Sequence, residues 1–167
     1  VKGLVPIVQT AIDHAREMLA KPAEHTLAMR RRDLVHELTQ NAQEWHRGMV
    51  AGLKRALSPG ITTTSRPSEP SRPGIGGLTL VDDDTIELEI VTSRLSLAMM
   101  DRASWEFSDL RARIAFLERR NELEPNDLLR AHVLARIVFD AWREARISIT
   151  SWRELQPLLH EEFAILV

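Results

Sequence analysis

Cysteine is absent from the 167 residues. That excludes disulfides, thiolate zinc sites and a cysteine nucleophile, and it points to a reducing, cytoplasmic compartment. No apolar run approaches the roughly 18–20 residues needed to span a bilayer. The opening VKGLVPIVQTAIDHAREML lacks the basic head and unbroken apolar stretch of a signal peptide. Neither sign of charge dominates: the formal net charge is −2 and the pI about 6.3. A generic nucleic-acid binder would carry a basic excess, so neither that class nor an anionic membrane surface is expected as partner. No stretch alternates apolar and polar residues as a half-buried strand would. The chain starts without methionine and ends on the apolar EEFAILV, so both ends read as cuts in a longer protein.

What remains is 44% hydrophobic and 28% charged, ordinary for a globular chain and too apolar for full disorder. Of the 22 basic residues 19 are arginine. Arginine suits phosphate and carboxylate recognition, but a genome that favours arginine codons is the preferred explanation of the excess. Residues 58–78, SPGITTTSRPSEPSRPGIGGL, hold Pro59, Pro67, Pro70 and Pro73 with Gly60, Gly74, Gly76 and Gly77. Such a stretch sustains no regular element and reads as a flexible linker. It divides a helical hairpin at 1–57 from a helical segment at 80–167, with 58–79 between them and the two helical parts expected to form one domain.

Apolar spacing places the helices. The first runs from about Pro6 to Lys21, on Val8, Ile12, Ala15 and Leu19, and Pro22 stops it. The second runs from about Glu24 to Leu57, with Val35, Leu38, Ala42, Trp45, Met49, Leu53 and Ala56 as a seam for another helix. The third spans about Asp83 to Arg120. Ile86, Ile90, Leu97, Met100, Phe107, Leu110, Ile114 and Leu117 lie along one side, and Val91, Leu95, Ala98 and Trp105 widen it. At about 1.5 Å per residue it would exceed roughly 50 Å, so it either bends or protrudes. Asn121 to Pro125 makes the turn. The fourth helix, about Asp127 to Ala145, is apolar except for a stripe of His132, Arg136, Asp140 and Arg143, which suits a buried central helix. Ser151 and Glu154 form a capping pattern for a last helix, whose regular part is expected to start near Pro157. The predicted class is all-α, a helical bundle with one long helix and a disordered Pro/Gly/Ser-rich linker.

The segment LVDDDTIELEI (80–90) poses the one question of chemistry. A helix start leaves N–H groups unpaired and partly positive. Asp84 as N-cap with Glu87 three residues on makes a box-like start. The competing reading is a D-D-x-x-E magnesium site on Asp83, Asp84 and Glu87. No second acidic cluster stands at matching spacing: Asp127 and Asp140 are isolated, and Glu161 and Glu162 point different ways. The helix start is therefore preferred, with no metal and no cofactor expected.

Other motifs weigh less. His14, His25, His36 and His46 contain no i,i+4 pair, His132 and His160 stand alone, and H-E-E-F (160–163) lacks a second histidine. There is no G-x-S-x-G. Arg30, Arg31 and Arg32 fan around a helix and read as a solvated face. Trp45, Trp105, Trp142 and Trp152 lie on or near apolar stripes. Trp105, flanked by Ser104 and Glu106, is the one placed to anchor a partner, together with Phe107 and Met100.

The segments LTLVDDDTIELEIVTSRL, LRARIAFLE, LRAHVLARIVFDAW and LQPLLHEEFAILV resemble the bacterial family of domain of unknown function 1631, over about 78–167. Members are long cytoplasmic proteins of proteobacteria. The resemblance implies no established chemistry, hence no catalytic residues to carry over. The expected function is a non-catalytic protein-interaction module of a larger regulatory protein, engaging a protein partner or its own copy. The alternative is a binder of a phosphorylated small ligand, such as a cyclic dinucleotide, or a magnesium-dependent enzyme using the acids at 82–87.

Overall fold

Helical periodicity becomes helix throughout the part of the chain that can be described. In the computed structural model the described residues are 3–57, 83–117 and 130–166, with side chains from Ile86 onward in the second stretch. They form α1 (Leu4–Ala20), α2 (His25–Leu57), α3 (Asp83–Leu117), α4 (Ala131–Glu144) and α5 (Ile149–Leu166). No strand occurs among them, so the fold is all-α. The linker expected at 58–79, the turn at 121–125 and the helix start at Asp127 lie outside the described residues.

α2 follows the predicted spacing closely and α1 in part: Val8 and Ala15 are buried, but Leu19 is exposed and the buried face turns toward Leu4, Ile7 and Ala11. Leu4, Ile7, Val8, Ala11 and Ala15 of α1 are buried, with Leu34, Leu38, Ala42, Trp45 and Met49 of α2. α1 ends at Lys21, in extended conformation just before Pro22. Arg31 Nη1 donates to the Lys21 carbonyl at 3.2 Å, a basic side chain satisfying a helix end. One of the three adjacent arginines is thus structural, while Arg30 and Arg32 are exposed.

α2 packs on α1 and α4, α3 on α4 and α5, and α5 returns to α1 and α2. Both sides of the predicted linker therefore share one core. Its centre is aromatic. Trp45 meets Trp142 edge-on at 4.9 Å and Phe163 at 6.3 Å. Trp152 meets Trp142 at 5.1 Å and Phe139 at 5.0 Å. Edge-to-face pairs of this kind are favourable beyond the area they bury. Two indole N–H groups are satisfied by backbone: Trp45 donates to the Val138 carbonyl at 3.2 Å and Trp142 to the Ser148 carbonyl at 3.0 Å.

The α2–α4 contact is close because Gly48 and Gly52 line it. A Cβ on Gly48 would lie 2.9 Å from Ala141 Cβ and 3.3 Å from its Cα. Neither atom can swing away. A Cβ on Gly52 would meet Ile137 Cγ2 at 2.6 Å, a branch methyl that a helical isoleucine holds in one χ1 rotamer. Gly48→Ala is therefore expected to cost about 1–2 kcal/mol despite better helix propensity. Gly52→Ala should cost about as much, because that methyl cannot turn aside. Urea denaturation of the two variants checks both.

α3 departs from the expected face. Its core line is Val91, Leu95, Met99, Ala103 and Phe107, one residue per turn. The expected line is mostly outside: Ile86, Ile90, Leu97, Leu110 and Leu117 are exposed. Apolar residues occur on both sides of this helix, so periodicity alone could not choose between them. The helix bends, as its length required: Ala103 has φ −120° and ψ 26°. Ser108 Oγ donates back to the Ser104 carbonyl at 2.8 Å, an arrangement associated with helix bending.

α4 leaves through a left-handed cap. Arg146 N–H donates to the Arg143 carbonyl at 2.9 Å and Ile147 N–H to the Trp142 carbonyl at 3.3 Å. Arg146 has φ 58°, the position where glycine is preferred. Arg146→Gly should raise stability by about 0.5–1 kcal/mol, read as a higher urea midpoint. α5 then starts two residues before the expected cap, Ser151. Ser148 is the capping residue, its Oγ accepting from Ser151 N–H at 3.2 Å. Ser151 lies inside the helix, and Pro157 is accommodated mid-helix rather than at its start.

Candidate functional site

Two surfaces on α3 gather the residues that the fold does not use. The first is its outward side. Leu97 is 62% exposed and Trp105 75% exposed. Ile86 and Ile90 are exposed as well, whereas Val91, Leu95 and Met99 are buried. Of the three residues expected to meet a partner, only Trp105 is free to do so. Phe107 is 4% exposed and holds α3 onto the core, because it falls on the buried line one turn after Ala103. Met100 is half-buried and packs against the core edge.

The second surface is a cleft of about 610 Å³ between α3 and α5. Ile86, Glu87, Ile90, Val91 and Arg94 form one wall, and Arg153 and Gln156 the other. Glu87 and Arg153 are joined by an ion pair across it. Glu87 was expected to help open its own helix. It reaches the facing helix, which a sequence pattern of local spacing cannot reveal. Asp83 and Asp84, the other members of the acidic motif, have side chains outside the described residues. Arg94 is exposed and makes no hydrogen bond or ion pair with another described residue.

The electrostatics of the cleft are visible one turn beyond Gln156. Burial lowers the pKa of His160 below the usual histidine value, and the Arg94 charge lowers it further. His160 Nε2 is buried without a hydrogen-bond partner among the described residues. On α4, burial raises the Asp140 carboxyl, with Arg136 and Arg143 opposing the shift. Asp140 faces Arg136 at 3.6 Å within the polar stripe expected for that helix. The described histidines and acids contain no group of three or more that could hold a metal ion. No described helix is long and apolar enough to cross a membrane.

A polar junction between α2 and α5 escaped the sequence reading. Glu37 Oε2 accepts from Ser148 N–H at 3.0 Å, Ser148 Oγ at 2.9 Å and Ser151 Oγ at 2.7 Å. The carboxylate thus sits at the start of α5, where the helix end is partly positive. It fills the role that the acid of a capping box plays locally, from a residue 111 positions away. Ser148 before Ile149 and Trp152 at helical spacing was the available local signal. Its partner could not be read from spacing.

Five helices around a tryptophan core, with no strand among the described residues, define an all-α helical domain. The chain belongs to a family of proteins of unknown function. Residues 1–162 match the model described as "Protein of unknown function (DUF1631) N-terminal domain". The match takes in the N-terminal hairpin as well as residues 78–162 of the region on which the resemblance rested. No curated protein and no solved structure matches the chain.

Proposed function

We propose that the chain is a non-catalytic interaction module of a larger cytoplasmic regulatory protein, with the outward side of α3 as its contact surface. The residues at 1–57 and 80–167, tethered through 58–79, act as one domain. The observation that carries this reading is the division of the tryptophans. Trp45, Trp142 and Trp152 are fully buried, while Trp105 is 75% exposed. A large exposed aromatic on a helix that also exposes Leu97, Ile90 and Ile86 is the kind of anchor that concentrates binding energy in interfaces. Phe107 and Met100 serve it from behind by fixing the helix on the core.

Site-specific photocrosslinking tests the reading. A benzoylphenylalanine replacing Trp105, in the full-length protein in its own cell, should give a discrete adduct with a partner protein or a second copy. The same probe at Gln40, exposed on α2, should not. Equal or absent adducts at both positions would remove the reading.

A further inference from the structure

We propose that the cleft between α3 and α5 docks an amphipathic segment of a partner protein, receiving one of its carboxylates on Arg94 and its apolar side chains against Ile86 and Ile90. The inference rests on the interaction-module reading and names the chemistry of the partner. Three observations favour an acidic, apolar peptide over other occupants.

First, the charge is asymmetric. Of the two guanidinium groups in the cleft, Arg153 is neutralised by Glu87, whereas Arg94 has no hydrogen-bond or ion-pair partner among the described residues. One guanidinium without such a partner among the described residues, beside the exposed Ile86 and Ile90 of its own helix, suits one carboxylate, which it can engage bidentately. Second, with Glu87 and Arg153 paired, the cleft keeps one net positive charge, which matches one carboxylate better than a phosphate dianion. Third, Ile86 and Ile90 are exposed at 44% and 47%, one turn apart on the cleft rim. That spacing is what the apolar face of a second helix packs against in a helix-in-groove contact. The charge of Arg94 already reaches across to α5, where it contributes to lowering the His160 pKa.

The test uses the 167-residue chain and a blocked amphipathic peptide of about 14 residues with Leu, Glu and Leu at i, i+3 and i+4 spacing. Backbone amide shifts should move at both 86–94 and 153–156. Replacing the peptide Glu with Gln should weaken binding roughly tenfold or more. Arg94→Glu should abolish binding of the Glu peptide, leave the melting temperature unchanged, and restore binding to a Lys version of the peptide. That reciprocal swap separates docking from damage to the fold. No binding, equal binding of the Glu and Gln peptides, or shifts confined to other helices would overturn the proposal. Displacement of the peptide by submillimolar inorganic phosphate would also overturn it, in favour of a small-anion site. Crosslinking at position 105 does not depend on Arg94, so failure here leaves the interaction-module reading separately testable.

Discussion

Trp142→Ala is expected to lower the unfolding free energy by about 3–5 kcal/mol. The indole is fully buried and touches two others, Trp45 at 4.9 Å and Trp152 at 5.1 Å. Truncation removes both edge-to-face contacts and leaves a cavity between α2, α4 and α5. It also strips the Ser148 carbonyl of the indole N–H that donates to it at 3.0 Å, just where the chain turns into α5. Domains of this kind have only about 5–15 kcal/mol in total, so the variant should show a much lower urea midpoint. Trp142→Phe retains part of the packing and should fall between the two. An equal loss in Trp105→Ala would contradict the placement of both residues.

Glu37→Ala should cost about 2–3 kcal/mol, although Glu37 looks like an ordinary polar residue of a long helix. One oxygen accepts from three donors of Ser148 and Ser151, and Ser151 is buried. Hydrogen bonds to a charged acceptor are worth more than neutral ones, and their donors are left unpaired when the acceptor is removed. Ser148→Ala removes the cap itself and should cost about 1 kcal/mol. The two losses should not add, because the residues form one network. A double-mutant cycle by urea denaturation measures that coupling. Additive losses would mean that Glu37 does not hold the start of α5.

Helix number and class were legible because apolar residues recur at helical spacing and prolines mark boundaries. Pro22 does so plainly, and the seam of α2 from Leu38 to Met49 is buried as expected. Failures came where spacing was degenerate or the partner was distant. α3 has apolar residues on both sides, and only docking against α4 and α5 selects Val91, Leu95 and Met99. Phe107 could not be told from Trp105 as an outward residue until the buried line was known. Ser148 was passed over because Ser151, with Glu154 three residues on, offered the more complete capping pattern. The carboxylate that completes its cap comes from Glu37, and the partner of Glu87 is Arg153; neither pairing leaves a local pattern. Pro157 was expected near the start of α5, yet it lies inside a helix held by Trp152, Leu155 and Leu159 in the core.

Acrylamide quenching of tryptophan fluorescence tests most directly the claim that three indoles build the core and one is kept for a partner. The account predicts one readily quenched component, which disappears in Trp105→Phe and leaves emission that is nearly unquenched until the protein unfolds. A quenchable component that persists in Trp105→Phe, or native emission protected throughout, would contradict it.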